Sequence, residues 1–501
     1  MDLTTANTSA PPPVPGWRLE QSYATLPALL FRDWQPEPVA RPRLVVFNRR
    51  LAGELGLDAE SMETPMGAAV FAGNASPPGA RPLAQAYAGH QFGHFTGLGD
   101  GRAILLGEQI TADGRRVDIQ LKGSGPTPFS RGGDGRAALG PMLREFLISE
   151  AMHALGIPTT RSLAVAATGQ PVFRQDGPLP GAVLTRVAAS HIRVGTFEWV
   201  AAHGDHDALR ALTDYTIRRH FPHLAGPANP ALALLGEVIG RQAALVALWM
   251  QTGFIHGVMN TDNMALSGET IDYGPCAFMD GYHPDTAFSS IDHGKRYAYG
   301  NQPRIAQWNL ARFAETLLPI LDPDRDQAIA LATAAVRGFA DLYERHWLAG
   351  MGRKLGIADA TPEDQPLIGG LLEWMAGVNA DFTNTFLALG RNRHAPGPAA
   401  PPCEDPAFWA WRGSWLARLG GGAEPPEEAL RLMAAHNPVV IPRNHVVEEA
   451  LAAAVERDDM APFHRLLEVV AQPYAPPVPP PEEFTRPAPA DAPPYRTYCG
   501  T

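Results

Sequence analysis

Residues 97–122 read Gly-Leu-Gly-Asp-Gly-Arg-Ala-Ile-Leu-Leu-Gly-Glu-Gln-Ile-Thr-Ala-Asp-Gly-Arg-Arg-Val-Asp-Ile-Gln-Leu-Lys. The apolar run 103–110 predicts a strand, and Asp113-Gly114 is typical of a tight hairpin turn. Apolar and polar residues alternate over 117–122, which predicts a second, half-buried strand. The order is therefore a glycine loop, a strand, a turn, and a strand that carries a lysine.

The glycine loop is a candidate phosphate site, because glycines let backbone N–H groups approach phosphate oxygens closely. Its candidate residues are Gly99, Gly101 and Arg102, and the alternative interpretation is a simple turn. The lysine that follows, Lys122, is a scarce residue type in this chain. Its only other lysines are Lys295 and Lys354, and arginine is otherwise the basic residue used. An ammonium is a compact point charge and does not replace a guanidinium.

A helix is predicted over residues 141–156, because Pro141 suits a first helical turn and Gly156 a C-terminal stop. Glu145 shares a face of this helix with apolar residues. A buried carboxylate needs a partner, and Lys122 is the simplest candidate. The alternative is that Glu145 lies at the edge of the apolar stripe and is solvated.

Residues 123–136 form a glycine- and proline-rich loop without periodicity, and long structureless loops in a compact domain are usually functional or disordered. Asp134, next to Gly135, is expected to anchor a sugar, an adenine amine or a basic side chain. Two arginines downstream, Arg186 and Arg193, suit a polyphosphate, since guanidinium forks bind such groups bidentately. The sequence alone does not separate that role from an ordinary surface position.

A carboxylate cluster follows in Phe254-Ile-His-Gly-Val-Met-Asn-Thr-Asp-Asn-Met-Ala-Leu266. Asn263 and Asp272 are expected to supply two oxygen ligands to Mg²⁺ from either end of a short hairpin over 264–271, because Mg²⁺ prefers a few hard oxygens together with phosphates. Asp262 is a candidate general base for an incoming hydroxyl. An ordinary hairpin with solvated acids is the alternative.

The cluster is similar to the catalytic loop of protein kinases, in which a His is followed seven residues later by a metal-binding Asn. His256 and Asn263 have that spacing, but Val258 stands where the base Asp is usual, and an acid precedes the Asn instead. This indicates either a kinase-like fold without activity or one that catalyses a different transfer.

Composition excludes several classes of protein. The chain has 501 residues with 45% hydrophobic and 19% charged residues, which is ordinary for a globular protein and excludes a wholly disordered one. Its 52 acidic residues against 41 basic ones give a net charge of −11, which argues against a nucleic-acid binder. The apolar run 242–255 is too short for a membrane span. With no secretory signal and three cysteines without zinc spacing, a cytoplasmic location is expected.

The chain resembles the SelO (selenoprotein O, YdiU-type) protein adenylyltransferases. The matching stretches cover essentially the whole chain and are Tyr-Ala-Gly-His-Gln-Phe-Gly (87–93), Gly-Leu-Gly-Asp-Gly-Arg (97–102), Gln-Leu-Lys-Gly-Ser-Gly-Pro-Thr-Pro-Phe-Ser-Arg (120–131), His-Gly-Val-Met-Asn-Thr-Asp-Asn (256–263), Asp-Tyr-Gly-Pro (272–275), Asn-Pro-Val-Val-Ile-Pro-Arg-Asn-His (437–445) and the near-terminal Cys499.

The resemblance implies an α+β, protein-kinase-like bilobal fold with family-specific N- and C-terminal additions. We therefore expect an N-terminal extension over 1–80, a nucleotidyltransferase core over 81–390, and a C-terminal helical region with a proline-rich tail over 391–501. It also implies transfer of AMP from ATP, and of UMP from UTP, to Ser, Thr or Tyr hydroxyls of proteins, with release of pyrophosphate. A γ-phosphoryl kinase and a non-catalytic nucleotide-binding scaffold are the alternatives.

The resemblance further assigns roles to individual positions. Asp262 is the expected base, and Asn263 and Asp272 are the expected ligands of Mg²⁺ or Mn²⁺. The expected nucleotide-binding residues include Asp272 and are otherwise Gly99, Gly101, Arg102, Lys122, Asp134, Gly135, Arg186 and Arg193. Of these, Lys122, Arg186 and Arg193 are expected on the γ-phosphate, with Glu145 paired to Lys122.

Two cysteines and the partners complete the expectations. A reversible disulfide between Cys276 and Cys499 is hypothesised, with two unrelated free thiols as the alternative, since cytosolic disulfides are uncommon. The expected partners are proteins with Ser, Thr or Tyr hydroxyls; no nucleic acid or membrane partner is expected, and the chain is expected to be a monomer.

Overall fold

A computed structural model of the chain describes residues 16–175, 177–224, 226, 228–390, 405–474, 476–489 and 491–498. Within these ranges it has thirteen strands: β1 Leu19–Glu20, β2 Phe31–Asp33, β3 Arg43–Phe47, β4 Leu83–Gln85, β5 Ala88–Gln91, β6 His94–Gly97, β7 Ala103–Ile110, β8 Arg116–Lys122, β9 Ala137–Ala138, β10 Arg161–Arg174, β11 Gly177–Ala188, β12 Phe254–Ile255 and β13 Ala277–Phe278.

Over the same ranges the chain has sixteen α-helices. They are α1 Arg49–Glu54, α2 Ala59–Met62, α3 Pro65–Phe71, α4 Leu139–Ala154, α5 Val194–Ala202, α6 His206–His220, α7 Pro230–Thr252, α8 Gln302–Leu321, α9 Arg325–Arg337, α10 Phe339–Lys354, α11 Gln365–Val378, α12 Phe382–Leu389, α13 Pro406–Arg418, α14 Glu427–His436, α15 Asn444–Arg457 and α16 Ala461–Val470.

A nine-stranded antiparallel sheet carries the glycine loop and the lysine. Its strands run in the order β2-β4-β7-β8-β11-β10-β3, with β1 on β7 and β9 on β11. The predicted hairpin is confirmed: β7 and β8 pair with Ala103 opposite Lys122, and the turn contains Gly114 at φ 81°. The sheet together with the helices gives the expected α+β class.

Helix α4 covers one face of the sheet. It begins at Leu139, two residues before the predicted start, and ends at Ala154 just before Gly156, whose φ of 76° suits a glycine. It packs against β10 and β11, and its apolar residues belong to the main hydrophobic core. Glu145 is therefore carried under the sheet on a buried face.

The apolar run 242–255 lies mostly in α7, a longer helix that starts with Pro230 after the cap residue Asn229. α7 is long and apolar enough to cross a membrane by length and composition, and 56% of its most apolar window is buried inside the protein. It packs against α8 and α10. The buried apolar residues of α7 belong to the main hydrophobic core.

The carboxylate cluster is arranged differently from the predicted hairpin over 264–271. The strands that pair are β12 and β13, on either side of the whole cluster. Within it, Ala265 forms an isolated bridge with Arg193, and Thr270 forms one with Thr159. The turn is present, with Gly268 at φ 81°, but the prediction of two strands pairing with each other was wrong, because both flanks bond to other parts of the chain.

The first 80 residues contribute β1, β2 and β3 to the same sheet as the glycine loop. At the other end of the chain, α15 and α16 pack against α4. The three-part division at residues 80 and 390 stays a prediction.

Candidate active site

Lys122 lies at the end of β8, where it reaches two carboxylates. Its Nζ donates to Oε2 of Glu145 on α4 at 2.6 Å and to Oδ1 of Asp272 at 2.6 Å. Glu145 is 2% exposed, so the alternative of a solvated carboxylate is excluded. The carboxylate on the apolar stripe is compensated by the scarce lysine.

Both arginines also point to Asp272. Arg186 on β11 donates from Nη1 to Asp272 Oδ1 at 2.7 Å and to Glu145 Oε1 at 3.3 Å. Arg193, at the N-cap of α5, donates from Nη1 to Asp272 Oδ2 at 3.4 Å. Both arginines are 2% exposed and are therefore not surface residues. Three cations thus converge on one carboxylate.

The cations determine the charge of Asp272. Burial alone raises the pKa of this carboxyl, but Lys122, Arg186 and Arg193 outweigh that effect and hold the pKa well below its usual range. Asp272 also has φ 65°, a left-handed conformation that Asp tolerates better than most residues. The residue is therefore an ionised carboxylate at neutral pH, held at a sharp backbone turn.

Asp262 lies in a 3₁₀ turn, Thr261–Asn263, beside this cluster. Its Oδ1 is buried and has no hydrogen-bond partner. Burial raises the pKa of Asp262 to about 7; Arg193 opposes this shift, while the negative charges of Asp272 and Glu198 add to it. A carboxylate whose pKa lies near neutral pH is suited to accept a proton.

The carboxylate of Asp262 packs directly on the backbone of β5. A Cβ built on Gly89 would lie 2.2 Å from Asp262 Oδ1, and one built on Gly195 would lie 3.4 Å from its Cα. A glycine is required at 89 for this close approach of Asp262, and at 195 because a Cβ there would lie 2.0 Å from the carbonyl oxygen of Ala88.

Asn263 and His256 have different positions in the cluster. The Nδ2 of Asn263 donates to the carbonyl of Val258 at 3.0 Å, so its amide oxygen is left to accept. His256 is buried, and its Nε2 lies 2.9 Å from the carbonyl of Ile271. His256 therefore supports the backbone just before Asp272 and does not face a ligand site.

The glycine loop is anchored to the neighbouring strands by the side chain of Asp100. Asp100, between the two glycines, is buried and accepts hydrogen bonds from the Gln85 backbone and from Gln120 Nε2, both at 3.1 Å. Gly99 has φ 104°, and its missing side chain makes room for the ring of Phe129, 2.4 Å from where a Cβ would be. The loop is thus anchored by a carboxylate while its backbone stays close to the cleft.

In the 123–136 loop, Asp134 accepts a hydrogen bond from Arg174 Nη1 at 2.8 Å and from the backbone of Arg136 at 3.0 Å. Asp134 was expected to anchor a sugar, an adenine amine or a basic side chain, and in the structure it pairs with the basic side chain of Arg174. Gly135 has φ 62°, and a Cβ there would lie 2.2 Å from the backbone of Gly125. The loop closes on itself at this point.

Two adjoining cavities lie between the carboxylate cluster, the three cations and the glycine loop. One, of about 300 Å³, is lined by the three cations with Asp262, Asn263 and Asp272. The other, of about 500 Å³, is lined by the glycine loop together with Phe129, Asp134 and Gly135. Both include Tyr87, Gln91, Gly101, Arg102 and Asp262 in their walls. All expected nucleotide, metal and base residues therefore line these two adjoining cavities, together called the cleft, whose size suits a small-molecule ligand.

Sequence reasoning assigned no role to two residues of the site. The ring of Tyr87 lies 4.4 Å below the guanidinium of Arg193. Gln120 accepts from Arg186 Nη2 at 2.6 Å and links that arginine to Asp100. A signal for Gln120 existed, because period-two alternation places it on the same face of β8 as Lys122.

Cys276 is fully buried, and burial raises the pKa of its thiol to about 12. Such a thiol is protonated at neutral pH and is a poor nucleophile. Cys499 lies outside the described residues. Two residues before it, Thr497 Oγ1 donates to the carbonyl of Pro275 at 2.8 Å. The Cys276–Cys499 disulfide stays a hypothesis.

Comparison with known proteins identifies relatives along almost the full length. The sequence profile of the family described as "Protein adenylyltransferase SelO" matches residues 17–471. A protein nucleotidyltransferase YdiU from Halalkalibacterium halodurans is 59% identical over 491 residues, covering 98% of this chain and 99% of that protein. Proteins of the same name from Bacillus cytotoxicus and Alkaliphilus metalliredigens are each 57% identical over 486 residues, with 97% of this chain and 98% of each protein covered.

Proposed function

The chain belongs to the protein adenylyltransferase SelO family and is a protein nucleotidyltransferase that uses ATP, and we propose how its cleft performs the transfer. The acceptor is a Ser, Thr or Tyr hydroxyl of a protein, and AMP is the transferred group. The proposal rests on one observation: Lys122, Arg186 and Arg193 converge on Asp272. All four line the same cavity as the base candidate Asp262.

We infer that the three cations bind the terminal phosphates of ATP. Buried cations at that end stabilise the negative charge that develops on the departing pyrophosphate in the transition state. A γ-phosphoryl kinase needs the opposite orientation, with its terminal phosphorus facing the acceptor. In the proposed orientation the α-phosphorus lies toward Asp262, and the nucleoside extends along the glycine loop past Asp134 and Gly135.

In the proposed step, the acceptor oxygen forms a bond to the α-phosphorus while the bond between that phosphorus and the bridging oxygen to the β-phosphorus breaks. The hydroxyl proton moves to the carboxylate of Asp262. The products are an AMP-protein and pyrophosphate. The unpaired Oδ1 of Asp262 and its pKa near neutral pH support this role.

The donor chemistry of the site fits a divalent cation. Asp272 is ionised and Asn263 has an amide oxygen available, which together suit Mg²⁺ or Mn²⁺. In the part of the chain that is described, no group of three His, Cys, Asp or Glu side chains stands ready to hold a metal alone, so phosphate oxygens of ATP would complete the set. When bound, such an ion neutralises phosphate charge and orients the triphosphate.

We also propose that the chain has the bilobal arrangement of protein kinases. The order of a glycine loop, a strand lysine and a helix glutamate supports it, as does the Lys122–Glu145 contact. A cytoplasmic location, a monomeric state and use of UTP are further parts of the proposal.

Labelled ATP tests the proposed function directly. The purified chain is incubated with Mg²⁺, a cell extract, and ATP labelled either at the α- or at the γ-phosphate. We expect protein-bound label only from the α-labelled nucleotide, and a loss of at least about 100-fold in the Asp262→Asn variant. Protein-bound γ-label would identify a kinase, and labelling that Asp262→Asn leaves unchanged would refute base catalysis by this residue.

A further inference from the structure

The hairpin of β5 and β6 separates the cleft from an aromatic surface. Gly89 and Gln91 face the cleft, where Gly89 packs on Asp262 and Gln91 lines both cavities. The opposite face carries the cross-strand pair His90 and Phe95, whose rings are 5.4 Å apart. Phe95 is 50% exposed, a large fraction for a phenylalanine.

Trp308 of α8 lies beneath this outer face between two arginines. The guanidinium of Arg296 is 4.8 Å from the Trp308 ring and that of Arg312 is 5.1 Å from it, while the His90 ring meets its edge at 5.4 Å. Arg312 is neutralised by Glu315 at 2.5 Å. Surfaces that combine tryptophan, arginine and exposed aromatic rings are typical of protein interfaces.

Arg296 differs from Arg312 in its lack of an acidic partner. Among the described residues no carboxylate lies within 4.0 Å of its guanidinium, and its buried Nε has no hydrogen-bond partner. Its neighbour Lys295 is exposed and likewise has no ion pair within those ranges. The nearby acids are already engaged: Glu198 lies 2.6 Å from His90 Nδ1, and Asp292 accepts from the Arg296 backbone at 2.9 Å.

The segment that carries these cations also forms the edge of the cleft. Ile291 is 49% exposed and lines the same cavity as Asp262. A Cβ on Gly93, at the hairpin turn, would lie 3.7 Å from Arg296 Nη2, so this arginine touches the tip of the hairpin. An acceptor that reaches Asp262 from this side passes Ile291, in the segment that also carries Lys295 and Arg296.

Hydrogen bonds through Asn260 connect the parts of this edge. Asn260 Oδ1 accepts from the Phe92 backbone at 3.0 Å and from the Tyr297 hydroxyl at 2.6 Å, which ties the hairpin to the 291–297 segment. Preorganised groups lose less conformational entropy when a partner binds. The segment that carries the cations is thus hydrogen-bonded to the hairpin beside the cleft.

We propose that Phe95, Ile291, Lys295, Arg296 and Trp308 form an acceptor platform that selects protein segments with acidic side chains flanking the modified hydroxyl. The proposal rests on the proposed function and specifies its substrate class. Charge complementarity is the argument: Lys295 and Arg296 have no acidic partner among the described residues, they follow the cleft-lining Ile291 by four and five residues, and the net charge of the chain is −11. The apolar members of the platform supply contact area beside them.

A charge-reversal experiment tests the platform. Peptides with one central Ser, Thr or Tyr and either Glu or Lys at the flanking positions are incubated with α-labelled ATP and the full chain. We expect the Glu-flanked peptides to be labelled about ten times faster, since each favourable charge pair contributes a few-fold. The double variant Lys295→Glu with Arg296→Glu should reverse this preference.

Matched controls separate the platform from the chemistry. Arg325→Glu replaces an exposed arginine at the start of α9, beyond the far end of α8 and at least about 20 Å from Trp308 along that helix, and should leave the preference unchanged. Binding of a non-hydrolysable ATP analogue should be equal in all variants. If the double variant unfolds, Lys295→Glu alone, at an exposed position, should still reduce the preference about threefold.

The outcomes distinguish the two levels of the proposal. Labelling that is independent of flanking charge, or a preference that the Lys295 and Arg296 substitutions do not change, overturns the platform and leaves the adenylyltransferase assignment intact. Absence of α-label on every acceptor overturns the proposed function and the platform with it.

Discussion

Asp272 is the residue that orients the three cations proposed to bind the phosphates of ATP. Its carboxylate compensates three buried cations that repel each other and would be costly to bury alone. Because Asp272 pairs with all three, the cations are already oriented toward the cavity before ATP binds. We infer that Asp272 and Glu145 together hold the cations of the cleft in position.

Replacement of Lys122 by methionine tests the role of the ammonium. The change keeps the length of the side chain and removes the charge that lies 2.6 Å from both Glu145 and Asp272. We expect kcat to fall about 100- to 1000-fold with a smaller change in the KM for ATP, because the lost charge stabilises the departing pyrophosphate. Steady-state kinetics with α-labelled ATP provide the measurement. A raised KM at normal kcat would mean that Lys122 only binds the ground state.

Lys354 is a second buried lysine and is unrelated to the cleft. Its Nζ lies 4.4 Å from the Phe386 ring centre, and burial lowers its pKa to about 7. Since the pKa is depressed in the folded state, the free energy of unfolding is highest above pH 10.5, the usual pKa, and falls as pH decreases toward 7.

The Lys354→Met variant should therefore be more stable than the wild type at pH 7, by about 1–2 kcal/mol, because an apolar side chain of similar volume needs no desolvation. The difference in unfolding free energy should shrink near pH 10. Urea unfolding at the two pH values checks this. An equal difference at both would show that Lys354 is not buried in its charged form.

At the scale of elements, the β5–β6 hairpin determines where Asp262 can lie. The absence of a side chain at Gly89 lets the carboxylate rest on the strand, since a Cβ would be 2.7 Å from the Asp262 Cγ. The start of α5 also approaches Asp262, since a Cβ on Gly195 would lie 3.4 Å from the Asp262 Cα, an ordinary contact distance.

Gly89→Ala should displace the Asp262 side chain and reduce AMP transfer at least about tenfold, because small misplacements of a catalytic group are costly. The fold should persist, as Gly89 does not have a positive φ. Gly236→Ala is the control: its Cβ meets nothing within 4 Å in α7, so it should keep full activity and gain up to about 1 kcal/mol of stability. A normal rate of AMP transfer in the Gly89→Ala variant would show that the position of the Asp262 carboxylate does not matter for the reaction.

Elements with local signals were predictable and those with distant partners were not. The β7–β8 hairpin follows from Asp113-Gly114 and alternation, and α4 from its proline and glycine ends. The strands expected over 264–271 pair instead with Arg193 and Thr159. Those contacts join residues more than 70 positions apart, and no local pattern records them.

At the scale of the whole molecule, the last described residues return to the cleft. Thr497 forms a β-bridge with Ser289, accepts from the Ser290 backbone, and donates to the carbonyls of Phe288 and Pro275. The Tyr495 hydroxyl accepts from Arg144 Nη2 at 3.0 Å. Arg144 in turn donates to the Cys276 carbonyl at 2.7 Å. The tail thus supports the segment that follows Asp272.

Deletion of residues 495–501 should lower Tm by several degrees, because five hydrogen bonds of the described tail, worth about 1 kcal/mol each, are lost. AMP transfer should also fall, because the tail bonds to Pro275, which lines the cleft together with Gly274 and Ile291. Thermal melts and α-label incorporation are the measurements, and Tyr498→Ala, at a side chain that is 73% exposed, is the control. Unchanged Tm after the deletion would contradict a supporting role.

The sequence by itself determined the family, the α+β class, the glycine-loop hairpin, and the candidate identity of Lys122, Glu145, Asp262, Asn263 and Asp272, because these depend on local patterning and on motifs of fixed spacing. Only the tertiary structure decided that Glu145, Arg186 and Arg193 are buried around Asp272, that Gln120 links Arg186 to the glycine loop, and that Arg296 lacks an acidic partner. Burial and pairing of charges depend on which distant segments meet, and that is settled by packing of the sheet against the helices.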